Sequence, residues 1–258
     1  MTAPPAPARL SPEAARAVEA AGAETLSYAV RVFASPEEPP RLVVALGEAH
    51  VKLARASELG RAVVERFDLR GVETFQRRRV ALGGLLGVLI HAPRSALRAV
   101  TFGKVKDSTI VDARARREGH TIELEQTDVV PMALHAASIY LALFFVVAWT
   151  ELALMLLRVV LDAQVLADAA AGLTGVALAF ELHLLLLVPA WLSRRHSWAW
   201  LVHPAVALVT VRDTLMAEGT ARMMRDYPAP PAALVIMGRA HLAGYEHELV
   251  ARGYRRVP

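Results

Sequence analysis

Residues 42–50 read LVVALGEAH, and residues 234–241 read LVIMGRAH. In both stretches a short apolar run, typical of a buried strand, leads directly into the motif Gly-x-x-His. Glycine lets the chain turn sharply out of a strand, and a histidine three residues later can point back over the strand end. The pattern predicts a sheet with functional residues at its strand ends. A third match, Gly244/His247, lies in a helical pattern and is interpreted as accidental.

Strand and helix patterns alternate through the rest of the charged sequence. Apolar residues recur at helical spacing over 53–67, and RGVETF at 70–75 is a second short strand. Residues 107–118 have a helical pattern that Gly119 is predicted to end, and HTIELEQ at 120–126 alternates as a strand does. The predicted fold class is α/β, with a mostly parallel or mixed sheet, flanking helices and an interrupting apolar hairpin.

The apolar block lies in the middle of the chain. The 258 residues are 55% hydrophobic, and the only charged residues between 132 and 192 are Glu151, Arg158, Asp162, Asp168 and Glu181. Stretches 134–160 and 169–192 are each long enough to cross a hydrocarbon core of about 30 Å as helices. They predict a transmembrane helical hairpin. The alternative is a buried hairpin in a soluble fold, which the charges within the stretches favour.

The hairpin divides one predicted α/β domain in two. Residues 1–130 form its N-terminal half, 131–195 the hairpin that anchors it in the membrane, and 196–258 its C-terminal half. Basic residues flank the hairpin, whereas the connection at 162–168 contains no lysine or arginine. The positive-inside rule therefore predicts an inner (cytoplasmic) membrane protein whose soluble domain faces the cytoplasm. The N-terminus lacks the pattern of a secretory signal.

Composition and missing motifs exclude several classes of function. The chain contains no cysteine, which excludes disulfides, zinc–cysteine sites and thiol nucleophiles. A net charge of +4 is too small to indicate a nucleic-acid partner, and none is expected. The sequence has no G-x-x-x-x-G-K-[ST], G-x-G-x-x-G or G-x-S-x-G motif, so nucleotide hydrolysis, dinucleotide binding and serine esterase chemistry lack their usual support.

Polar residues that follow the predicted strands form a candidate site. Two imidazoles and two carboxylates suit either a divalent metal that prefers oxygen and nitrogen ligands or a metal-free acid–base site, and both remain open. Arg212 can neutralise a carboxylate or hold an oxyanion; its alternative is a structural ion pair with Glu73 or Asp213. Glu125 ends a predicted strand and is a further candidate. The four strand-end residues are Glu48, His50, Glu73 and His241.

Four segments together resemble the TraB/PrgY/GumN group, which includes Tiki-type membrane proteases and belongs with the erythromycin-esterase-like and ChaN-like folds. The segments are LVVALGEAHV (42–51), RGVETF (70–75), VRDTLMAEGTARMM (211–224) and ALVIMGRAHLAGYEHELVARGY (233–254). The group has two Gly-x-x-His motifs, a glutamate on the second strand and an Arg-Asn or Arg-Asp pair opening a late helix. The matching residues here are Gly47/His50, Glu73, Arg212/Asp213 and Gly238/His241. The hairpin lies outside the resemblance.

The resemblance implies a membrane-associated hydrolase, either a metal-dependent peptidase or a related acyl hydrolase, with a peptide or small acyl substrate. The implied catalytic residues are His50, Glu73, Arg212 and His241. The implied ligands for manganese, cobalt, zinc or iron are Glu48, His50, Glu73 and His241. Other members of the group block peptide pheromone signals. The alternative is therefore a non-catalytic membrane sensor or sequestering protein that binds a peptide signal or a metal in the same cleft.

Two expectations concern the hairpin itself. Glu181 and His183 are predicted to form a polar pair within it rather than to line a transport path. A homo-oligomer that assembles through the hairpin is also expected.

Overall fold

The computed structural model describes residues 9–49, 54–100, 108–161, 164–194, 196 and 198–258; His50 lies outside them. The strands are β1 (Tyr28–Ala34), β2 (Leu42–Glu48), β3 (Leu69–Val72), β4 (His120–Glu123), β5 (Ala232–Gly238) and β6 (Arg255–Val257). The helices are α1 (Pro12–Ala23), α2 (Ala54–Val64), α3 (Gly83–Val100), α4 (Thr109–Ala115), α5 (Met132–Leu161), α6 (Gln164–Leu184), α7 (Leu187–Leu192), α8 (Ala199–Val202), α9 (Ala207–Asp226) and α10 (Leu242–Ala251).

In the described part of the chain, six strands form one mixed sheet in the order β4-β3-β5-β2-β1-β6. Strands β2 and β3 both run parallel to β5, and β4 runs parallel to β3. Strand β1 is antiparallel to β2, and β6 is antiparallel to β1. The predicted α/β class with a mixed sheet and flanking helices is confirmed.

The apolar runs form the centre of this sheet. All residues of β2, and all of β5 after Ala232, are buried. A continuous apolar run suits a parallel strand that is covered on both faces. Val43 and Val235 contact the core on one face with Met216 of α9. Val44 and Leu234 belong to the core on the other face, which α1 and α2 complete.

Helix α9 approaches the carboxyl edge of the sheet closely. A Cβ atom at Gly219 would lie 2.0 Å from the carbonyl oxygen of Leu124, just beyond β4. No side chain fits there without moving the backbone, so glycine sets this approach. Arg212 and Asp213 lie two turns earlier on the same helix and are therefore brought to that edge.

The chain divides into two compact units. The first comprises Met1–Phe75, Ala96–Thr127 and Arg212–Pro258, and it contains the whole sheet. The second comprises Gln76–Ser95 and Asp128–Val211. Its described elements are helical and include the hairpin of α5 and α6.

The second unit contains two apolar stretches, Met132–Leu157 and Leu173–Leu192, of 26 and 20 residues. Both are long and apolar enough to cross a membrane, and only 6% and 11% of their most apolar windows are buried. Helix α6 already begins at Gln164, so the connection is shorter than the predicted 162–168. Residues 162 and 163 lie outside the described part.

The polar contacts of the hairpin differ from the predicted pair. His183 Nδ1 lies 3.0 Å from the hydroxyl of Tyr140, and the His183 ring stacks on His203 with centroids 4.7 Å apart. Glu181 is exposed. The physical reason is helical geometry, because residues two apart on a helix do not face each other.

Candidate functional site

Four parallel strands end at one edge of the sheet, and each places a group there. Glu48 is the last residue of β2, Glu73 follows β3, Glu125 lies two residues beyond β4, and Gly238 ends β5. In open α/β sheets this carboxyl edge is where ligands bind.

One arginine joins two carboxylates at this edge. Arg212 Nε donates to Glu125 Oε2 at 2.7 Å, and its Nη2 donates to Glu125 Oε1 at 2.9 Å and to Glu73 Oε1 at 2.6 Å. The guanidinium carbon lies 5.2 Å from the centre of the Phe75 ring. All three charged side chains are largely removed from water, with exposures of 11%, 13% and 2% for Arg212, Glu73 and Glu125. The planar guanidinium is thus fixed by charge-assisted hydrogen bonds.

Backbone amides hold the same carboxylates. The amide of Gly238, at the end of β5, donates to Glu73 Oε2. The amide of Thr74 donates to Glu125 Oε1 at 3.0 Å. The ends of the neighbouring strands therefore fix both glutamates independently of Arg212.

His241 lies in the 3₁₀ turn Arg239–His241 that follows β5. Its Nδ1 is 2.7 Å from Asp213 Oδ1, and its Nε2 is 3.6 Å from Glu73 Oε1. His241 and Asp213 are 6% and 4% exposed. The imidazole is thus held between two carboxylates, one on helix α9 and one after β3.

These contacts shift the pKa values of the three carboxyl groups in different directions. Burial raises the pKa of Glu73, but Arg212, His241 and the Gly238 amide together hold it below its usual value. Burial raises the pKa of Glu125, and Arg212 offsets this only in part. Burial also raises the pKa of Asp213, to about 6, against the lowering effect of His241. Burial lowers the pKa of Arg212, but the two glutamates raise it by more. The net shift is upward, so Arg212 stays charged.

Glu48 has different partners from the other strand-end residues. The hydroxyl of Ser108 donates to Glu48 Oε1, and the amide of Thr109 donates to Oε2 at 2.9 Å. A carboxylate at the first turn of a helix stabilises it through its unpaired amides and its dipole. The structure thus shows Glu48 at the N-terminus of α4, where the hydrogen bonds of its carboxylate support that helix.

Most donor atoms of the described predicted metal ligands are already used in hydrogen bonds. Glu48 and Glu73 both use their two oxygens in hydrogen bonds, and His241 uses Nδ1. Across the described ranges, no three His, Cys, Asp or Glu side chains are arranged to hold a metal ion. The described part of the predicted set therefore fits an acid–base site better than a centre for manganese, cobalt, zinc or iron. His50 lies outside the described residues.

The structure brings together Glu73, Arg212 and His241 as the sequence predicts, and it adds Glu125, which the sequence indicated only as a further candidate. Asp213 is the residue whose role was missed. It was considered as an ion-pair partner of Arg212, yet it pairs with His241. Adjacent helix residues point in directions about 100° apart, so the Arg-Asp dipeptide itself was a signal that the two side chains serve different partners.

Comparison of the chain with protein-family models found no match, and comparisons with curated proteins and with solved structures found no significant similarity.

Proposed function

We propose that this protein is a membrane-anchored hydrolase of the TraB/PrgY/GumN type that acts on a peptide or related acyl substrate without a metal. The observation that carries the proposal is His241, buried between Asp213 and Glu73 at the carboxyl edge of a parallel sheet. A histidine oriented by a carboxylate is a general base that operates near neutral pH.

In the proposed reaction, His241 Nε2 accepts a proton from water as the water oxygen attacks the acyl carbon. The imidazolium then gives that proton to the leaving group when the acyl bond breaks. Glu73, whose Oε1 lies 3.6 Å from Nε2, stabilises the positive imidazolium between these steps. Arg212 keeps Glu73 ionised. Its Nε and Nη2 are already bonded to glutamates, which supports this positioning role over the oxyanion role.

His50 remains a predicted second imidazole of the site. The resemblance on which its assignment rests is carried by the repeated strand and Gly-x-x-His pattern. In the proposed reaction it serves as an additional proton carrier or substrate-binding group.

The metal-free chemistry predicts the effect of chelation. Turnover by the full-length chain in detergent, measured with a panel of fluorogenic peptides and acyl esters, is expected to be unchanged after dialysis against EDTA. The reason is that the described carboxylates are already bonded to Arg212, backbone amides and a hydroxyl. Loss of turnover on chelation, with recovery on addition of manganese, cobalt, zinc or iron, would contradict the metal-free mechanism.

A second candidate is the non-catalytic sensor or sequestering protein. The observation that favours it is that Arg212 pairs with both Glu73 and Glu125 in a buried ion network, as in a purely structural cluster. Binding of peptides by the full-length chain without turnover of any member of the panel would favour this candidate over the hydrolase.

We further propose that the hairpin spans the cytoplasmic membrane, leaves the α/β unit in the cytoplasm and brings copies of the chain together. The support is the large exposed apolar surface of α5 and α6. A helix in the core of a soluble protein would bury most of its apolar side chains, whereas Leu143 is 47% and Leu178 is 51% exposed. Exposed apolar surface of this extent is typical of membrane or protein interfaces.

The full-length chain is expected to remain in the membrane fraction after an alkaline carbonate wash and to be released by detergent. Arginine at both Leu143 and Leu178 should sharply reduce retention, because each charge costs about 2.5–3.5 kcal/mol at the centre of a membrane helix. The matched control places arginine at Val111 and Val250, which are 50% and 51% exposed in the α/β unit. Release of the wild type by carbonate would contradict the proposal.

A further inference from the structure

Asp213 is a buried carboxylate that contacts the proposed general base. Its Oδ1 lies 2.7 Å from His241 Nδ1, the nitrogen that faces away from Glu73. An ionised carboxylate can only accept hydrogen bonds, so a bond of this length requires the proton to be on Nδ1. The lone pair of the neutral imidazole is then on Nε2, the atom nearest Glu73.

The chain makes room for this carboxylate at Gly244. A Cβ atom at position 244 would lie 1.8 Å from Asp213 Oδ2 and 2.7 Å from its Cγ. Alanine is the better helix former by about 1 kcal/mol, so glycine in helix α10 has a local cost. Its benefit is the close approach of Asp213. The glycine of the third Gly-x-x-His match is therefore explained by packing, although its histidine, His247, is exposed.

The charges around Asp213 are consistent with an ionised acceptor. Arg212 and His241 both lower the pKa of Asp213, and burial and Glu73 raise it, with a result of about 6.

We propose that Asp213 is a positioning residue that accepts the Nδ1–H of His241 and thereby makes Nε2, on the side of Glu73, the proton-accepting atom. The purpose of this positioning rests on the proposed hydrolase function. Its geometry, however, is testable without any substrate.

The test is the tautomer of His241 in the full-length chain, measured by NMR with ¹⁵N-labelled histidine in detergent micelles. The spectra are recorded near about pH 8.5, roughly two units above the ordinary pKa of histidine, and His241 is assigned by its absence in His241→Gln. Wild type is expected to favour the Nδ1–H form by at least about tenfold, which is the effect of one hydrogen bond to a charged group. In Asp213→Ala that preference should be lost.

Two further variants separate positioning from general packing. Asp213→Asn fills the same space but can present either its amide oxygen to an Nδ1–H or its NH2 group to a bare Nδ1, so the Nδ1–H form should fall well below its wild-type share. Gly244→Ala should displace the carboxylate and lose the preference, whereas Gly84→Ala, where a Cβ meets nothing within 4 Å, should not. A predominant Nε2–H form in wild type, or an unchanged ratio in Asp213→Ala, overturns the proposal.

These outcomes are independent of the hydrolase proposal. If the tautomer behaves as expected and no substrate is turned over, the proposed function fails and the positioning role stands. If turnover requires His241 but Asp213→Ala keeps the wild-type tautomer ratio, the positioning role fails alone.

Discussion

Replacing Arg212 with methionine is expected to lower the free energy of unfolding of the α/β unit by about 3–5 kcal/mol at neutral pH. The substitution leaves Glu73 and Glu125 buried beside each other, at 13% and 2% exposure, without the cation that joins them. Their two negative charges would then be largely out of solvent without the cation that binds both of them. Arg212→Lys should be intermediate, because a lysine cannot reproduce the planar fork that binds both carboxylates.

The measurement must report on the unit that contains the sheet. The four tryptophans lie at 149, 191, 198 and 200, so tryptophan fluorescence would follow the helical unit instead. Hydrogen exchange of the β5 amides is the appropriate probe, because β5 is central in the sheet. The control is Arg256→Met, which removes a 59% exposed partner of Glu246 and should cost less than about 1 kcal/mol. Equal effects of the two substitutions would contradict the structural role of Arg212.

The effect of Arg212→Met is expected to depend on pH. In wild type the pKa of Glu73 is held below its usual value. Ionised Glu73 therefore stabilises the fold when the pH is above the usual pKa of glutamate. This contribution is lost as the pH falls through the lowered pKa. In the variant the buried glutamates are expected to bind protons more readily than in the unfolded chain. The difference between wild type and variant should therefore begin to shrink above about pH 4, the ordinary pKa of glutamate, and continue to shrink as pH falls below it.

His241→Ala is expected to reduce kcat/KM by about 10²–10⁴-fold on whichever member of the panel is turned over best. The reason is that Nε2 of His241 is the proposed atom that takes and returns the proton. The β5 amides should retain most of their hydrogen-exchange protection, because Arg212 still pairs with both glutamates. Turnover at the wild-type level in a folded His241→Ala variant would contradict the role of general base.

The convergence of Glu73, Arg212 and His241 was predictable because two physical patterns agree. Continuous apolar runs identified β2 and β5 as buried parallel strands, and parallel strands end at the same edge of a sheet. Polar residues at or shortly after each strand end were then candidates without any knowledge of their contacts. Arg212, on a helix, was a candidate through the Arg-Asp pair of the family resemblance.

The choice of partners was not predictable in the same way. The alternative interpretation of Arg212 was an ion pair with Glu73 or Asp213, and Arg212 pairs with Glu73 and Glu125. That choice depends on how α9 is rotated over the sheet, which Gly219 and Gly244 set through close contacts. The sequence contains these glycines, but their meaning appears only when the facing atoms are known.

Sequence signals for the ends of helices were reliable at the start of the first helix and less reliable at the turn before β4. Ser11, a residue type that commonly precedes a helix, caps α1 by accepting a hydrogen bond from the Ala14 amide at 3.2 Å. Gly119 was expected to end the helix of 107–118, yet α4 ends at Ala115. Gly119 has a φ of +72° in the turn before β4, where a Cβ would lie 2.3 Å from the carbonyl oxygen of Asp68. Gly119 therefore allows the turn into β4 and does not end the helix.

Strand β1 was not identified from the sequence. Its residues, YAVRVFA, are half-buried apart from Tyr28 and Phe33, so the chain there shows neither a continuous apolar run nor a neighbouring motif. The strand is fixed by antiparallel pairing with β2, the next strand along the chain, and with β6, the last strand of the sheet in sequence. Pairings of this kind are determined by the folded sheet and not by local composition.

The most direct measurement is the ratio of kcat/KM for His247→Ala to that for His241→Ala on the same substrate. Both histidines belong to the same turn-and-helix segment, but His241 is buried between two carboxylates and His247 is exposed. If His241 is the general base, the ratio is at least about 100, with His247→Ala equal to wild type. A ratio near one on a substrate that the wild type hydrolyses would contradict the account.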